Sequence, residues 1–114
     1  MLRHRVFIAG PYSAGDVEAN VARAADAAAA LLDRGLAPFC PHLYHHVHAR
    51  HPRDYDVWMA ADAAFLLVCD AVLRLPGESP GADIEVAHAR ALGIPVACSV
   101  EVVAELLGVR HAAR

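Results

Sequence analysis

The chain has 114 residues, 57% of them hydrophobic and 20% charged, which describes one compact domain rather than a disordered segment. Its net charge of −3 excludes a protein built to coat nucleic acid or an anionic membrane, while a nucleotide pocket needs only local donors.

Residues 6–9, Val6-Phe7-Ile8-Ala9, form a short apolar run stopped by Gly10-Pro11, the pattern of a buried parallel strand followed by a loop. Residues 17–34 are alanine-rich with helical apolar spacing and end at Gly35, after which residues 36–40 read as a second strand. Residues 41–53 are polar, histidine-rich and aperiodic, too long for an idle connection in so small a domain, so they are expected to form a lid or pocket wall. Residues 54–66 read as a helix in which Tyr55, Trp58, Asp62, Phe65 and Leu66 recur at spacings of three and four. A third strand over 69–73, a helix from Pro80 to Leu92 closed by Gly93, a fourth strand over 94–98 and a last helix capped by Ser99 complete the chain. Such alternation predicts an α/β fold, a parallel sheet of about four strands with helices on both faces and functional loops at the strands' carboxyl ends.

Two acids stand out by helical phase. With Asp83 taken as zero, Arg90 lies about 20° away on the wet stripe and Glu85 roughly 200° round, on the core side. A carboxylate there must be paired, protonated or facing a cleft; the alternative is an acid that only answers the positive helix end. Asp62 is a second carboxylate on an otherwise apolar stripe, and two such groups in different environments can divide the work of breaking a glycosidic bond. A structural hydrogen bond to a neighbouring loop is the other reading of Asp62.

Gly10, Tyr12 and Ser13 follow the first strand, where backbone N–H groups can converge on an anion, yet the dinucleotide and nucleoside triphosphate patterns are both missing. Ser79 and Gly81 offer a second set of donors, and Arg74 reads equally as a phosphate contact or a solvated tip. Among the histidines, His42 and His45 are expected to contact substrate. With no His-Glu-x-x-His or Cys-x-x-Cys pattern, no metal is expected. Cys40, Cys69 and Cys98 are widely spaced beside apolar runs and read as reduced core thiols. Trp58 and Tyr55 either stack on a base or pack the core. The start of the chain does not resemble a signal peptide, so a cytoplasmic location is expected. Its excess of alanine fits a homodimer or larger homo-oligomer, in which a neighbour completes the pocket.

Phe7-Ile8-Ala9-Gly10-Pro11-Tyr12, Asp62 eight residues before Asp70, and Ser79-Pro80-Gly81-Ala82-Asp83-Ile84-Glu85 resemble the nucleoside 2-deoxyribosyltransferase-like superfamily, which includes deoxyribosyltransferases and nucleoside 5′-monophosphate N-glycosidases. The resemblance spans residues 6–96, and its closer likeness is to short, uncharacterised members. It implies a flavodoxin-like fold and a nucleoside or nucleotide substrate, without cofactor. It also implies Glu85 as nucleophile on C1′, Asp62 engaging the base, and Ser79 with Gly81 holding the sugar's 5′ end or phosphate. One departure is Phe7, where many members carry a tyrosine near the catalytic glutamate; Tyr12 or a histidine of the 41–53 segment is the candidate replacement. The rival expectations are a non-catalytic nucleotide-binding or sensing domain and a purely structural oligomeric domain.

Overall fold

The computed structural model describes residues 2–109. The chain runs β1 (Arg5–Ala9), α1 (Val17–Asp33), β2 (Ala37–Phe39), a 3-10 turn (Pro41–Tyr44), α2 (His45–Arg50), α3 (Tyr55–Leu66), β3 (Ala71–Arg74), α4 (Pro80–Ala91), β4 (Val96–Ala97) and α5 (Val100–Leu106). The strands form one parallel sheet in the order β2-β1-β3-β4, with Phe7 opposite Phe39 and Val72, and Ile8 opposite Leu73. The expected α/β architecture, with helices on both faces, is therefore present.

Period-two alternation divides the core. Val6 and Ile8 join Leu73, Leu31 of α1 and Val103 of α5 on one face, while Phe7, Ala9 and Val72 meet Leu66 of α3 and Val86 of α4 on the other. Side-chain caps start three helices: Asp16 accepts from the N–H of Glu18 and Ala19, Ser79 from Ala82, and Ser99 from Val102.

Four sequence expectations change. Residues 41–50 are helical rather than irregular. Their short turns lack an apolar period, and tertiary contacts hold them, with the Tyr44 ring 6.2 Å from Phe39 and 5.1 Å from Trp58. β4 has two residues, not five, which leaves Cys98 beyond its end and exposed, whereas Cys40 and Cys69 are buried thiols as expected. On α3, Asp62 and Leu66 are buried, but Tyr55 and Phe65 lie at the surface. Phe7 packs against Phe39 at 5.6 Å inside the core, away from the cavity that holds the two acids.

In this strand order the connection after β1 leaves toward β2 and the one after β3 toward β4. Their divergence opens a crevice at the carboxyl ends of β1 and β3, where α/β proteins bind ligands.

Candidate active site

The two loops at that crevice are pressed together. A Cβ on Gly10 would fall 2.8 Å from Leu75 Cβ, and one on Gly77, whose φ is +113°, would fall 2.8 Å from Pro11 Cγ. His42 is buried with Nε2 3.2 and 3.1 Å from the carbonyl oxygens of Gly10 and Pro11, so its N–H donates into the first loop. Burial lowers its pKa, and a neutral ring suits that role. Asn20, also buried, donates from Nδ2 to the carbonyls of Tyr12 (2.9 Å) and Ala14 (2.8 Å), folding the glycine loop back onto α1.

Between these loops and helices α2, α3 and α4 lies a cavity of about 750 Å³, within the range of small-molecule sites. Asp62 and Glu85 line it. They come from neighbouring helices, with only 8% and 9% of their surfaces exposed, as the helical phase of Glu85 required. Asp83 and Arg90 are exposed on the opposite stripe.

Burial raises the Glu85 pKa to about 9, with the Asp62 charge and hydrogen bond adding to it and Arg74 opposing. Burial also raises Asp62, to about 6, while its hydrogen bond with Glu85 pulls it back. Both shifts have one direction: burial and the closeness of the two carboxyls disfavour ionising both, so each holds a proton to higher pH than an ordinary carboxyl. Among the described residues, Asp62 Oδ1 is buried without a donor. Two bare carboxylates cannot bond to each other, so the proton is what makes the pair tolerable in so dry a place.

Of the residues singled out from the sequence, Gly10, Tyr12, Ser13, His42, His45, Tyr55, Trp58, Asp62, Ser79, Gly81 and Glu85 line this cavity. Ser79 is buried with its oxygen capping α4, which leaves its hydroxyl proton free. Gly81 lets α4 approach α3, since a Cβ there would sit 2.9 Å from the Tyr55 hydroxyl. Trp58 donates from Nε1 to His48 Nδ1 at 2.8 Å, which fixes its indole in the wall. Ser13 stands exposed on the rim. Arg74 does not reach the cavity; its guanidinium binds the carbonyls of Leu75 and Gly77 and the carboxylate of Asp83.

Sequence reasoning missed Asn20, Tyr44, Arg53 and Met59. Met59 lies three residues before Asp62 and four after Tyr55, so helical spacing from Asp62 could have found it. Nothing in the sequence signals Tyr44, at the end of the 3-10 turn, or Arg53, in the irregular connection between α2 and α3. Among the described residues no group of three or more His, Cys, Asp or Glu side chains could hold a metal, and no helix is long and apolar enough to cross a membrane.

A family model described as Domain of unknown function (DUF7768) matches residues 4–99. Comparison with curated proteins gives no match. Among solved structures, the chain is similar to 2-deoxyribosyltransferase from the psychrotolerant bacterium Bacillus psychrosaccharolyticus, a biocatalyst for synthesis of antiviral and antitumoral nucleosides. The TM-score is 0.60 and the identity 18%, over 81% of this chain and 69% of that one. At that identity the likeness is one of fold.

Proposed function

We propose that this chain, which belongs to the family described as Domain of unknown function (DUF7768), cleaves the N-glycosidic bond of a nucleoside or nucleoside 5′-monophosphate, by hydrolysis or by transfer to another base. One observation carries the reading: two buried carboxyls from adjacent helices, Asp62 and Glu85, line one cavity of nucleoside size. The fold likeness to a 2-deoxyribosyltransferase supports it.

The reaction requires one carboxylate and one carboxylic acid, and the dyad holds that number of protons. In the reactive arrangement the proton sits on Asp62 and Glu85 is ionised. The Glu85 carboxylate attacks C1′ as the bond to the base breaks through an oxocarbenium-like state, and Asp62 gives its proton to the departing base nitrogen. Water then attacks C1′, its proton passes to the Asp62 carboxylate, and Glu85 leaves as carboxylate. The dyad again holds one proton. In transfer, a second base takes the place of water. Ser79 and the α4 N-terminus with Gly81 hold the sugar's 5′ end or phosphate, Gly10 and Ser13 add donors from the facing loop, and Trp58 offers a face to the base. A second copy of the chain on the apolar outer side of α3 completes the assembly.

A non-catalytic nucleotide sensor is the second reading, favoured by one fact. Burial and the Asp62 charge raise the Glu85 pKa, which favours the protonated form, and a protonated carboxyl accepts or donates hydrogen bonds but does not attack carbon. Incubation with a panel of nucleosides and 5′-monophosphates separates the two. Release of free base, abolished in Glu85→Ala, supports catalysis; binding without base release across the panel supports the sensor.

A further inference from the structure

The cavity wall contains a chain of one hydrogen bond and one ion-pair contact that the dyad chemistry does not use. Tyr12 and His45 both line the cavity, and the Tyr12 hydroxyl lies 2.7 Å from His45 Nδ1. The other imidazole nitrogen, Nε2, lies 3.2 Å from Oε2 of Glu18 on the first turn of α1. The three groups come from three separate places, the β1–α1 loop, α2 and α1.

We infer that Glu18 and His45 are positioning residues that turn the Tyr12 hydroxyl into an acceptor-only contact, selecting a ligand hydroxyl at that point of the cavity. The reasoning follows the protons. A carboxylate has only lone pairs to offer, so its contact favours the tautomer with hydrogen on Nε2. That tautomer leaves Nδ1 bare, and a bare Nδ1 at 2.7 Å takes the phenolic proton. The Tyr12 oxygen then faces the cavity with lone pairs alone. An anion or carbonyl placed against it is repelled, whereas a sugar hydroxyl donates to it.

Two further features keep the chain in place. The Tyr12 carbonyl is clamped by Asn20, which fixes the backbone that carries the ring. Burial, with the nearby Glu18 charge, raises the phenol's pKa, so the phenol keeps the proton it donates to His45.

The inference rests on the nucleoside reading for the identity of the donor, and the test keeps the two apart. In the ligand-free protein, the ¹⁵N signals of His45 should show the neutral ring with hydrogen on Nε2. In turnover, Tyr12→Phe should lower kcat/KM for a complete nucleoside by about 3- to 10-fold. The same variant should have less than about a 2-fold effect on one member of a panel lacking, in turn, the 2′-, 3′- or 5′-hydroxyl. Glu18→Ala should reproduce that selectivity in weaker form, and Glu18→Gln, whose amide oxygen still accepts from Nε2–H, should restore it. Hydrogen on Nδ1 of the free ring, or a Tyr12→Phe loss equal across the panel, overturns the inference. Absence of base release from every member with the wild-type chain overturns the glycosidic reading, and the tautomer then decides the relay alone.

Discussion

Glu85 of α4 and Asp62 of α3 line one cavity in which each is more than nine-tenths buried, and that burial raises the pKa of both. Neither group would be stable there as an isolated charge.

Stability should therefore fall as pH rises. In the unfolded chain the two groups titrate at ordinary values, 3.8 for Asp62 and 4.5 for Glu85, whereas folding raises them to about 6 and about 9. Between those limits the folded state binds more protons than the unfolded one, so the stabilising term is complete below the ordinary carboxylate range and lost as pH climbs toward about 9. Denaturant titrations from pH 5 to pH 9 should show this decline, and Glu85→Gln, which cannot ionise, should flatten its upper part.

Asp62→Asn should slow base release by about 10²- to 10⁴-fold, the usual worth of a general acid. A riboside with a leaving group that departs without protonation should recover most of that rate. An equal loss on both substrates would assign Asp62 to binding.

Much of this site is legible in the sequence because it depends on helical phase and chain order. Asp83 and Glu85 lie two residues apart yet on opposite sides of α4, and that offset alone marks Glu85 as misplaced. The alternating strands and helices place the loops after β1 and β3 at one end of the sheet. The walls are less legible. Residues 41–50 carry no apolar period, and their turns are held by contacts of Tyr44, edge-on to Phe39 and tilted against Trp58 of α3, the second of which no local pattern encodes. His42 reads as a substrate contact from composition, whereas its Nε2 proton is committed to the Gly10 and Pro11 carbonyls. The Tyr12–His45–Glu18 chain depends on three segments meeting, which no local pattern encodes.

Gly10→Ala should disturb both fold and site. Its methyl group would arrive 2.8 Å from Leu75 Cβ and force the two crevice loops apart, at a cost of about 1–3 kcal/mol. Thermal unfolding should shift down, and base release should fall because the rim at Tyr12 and Ser13 moves with the loop.

Val57 is exposed on α3, Val68 in the turn that follows it and Ile84 on α4, apolar side chains that suit contact with a second copy of the chain. Val57→Lys, outside the cavity lining, should shift sedimentation from oligomer toward monomer; a wild-type chain that sediments as a monomer at all concentrations would count against this assembly.

Bonding of Glu85 to C1′ is tested most directly by the mass of the protein after incubation with nucleosides carrying a 2′-fluoro substituent. Fluorine there withdraws electron density from the oxocarbenium-like state and slows resolution of the intermediate. The mass should increase by one fluorinated sugar, located on the peptide containing Glu85 and missing in Glu85→Gln. Base release with no adduct, or an adduct on any other residue, would contradict a Glu85 nucleophile.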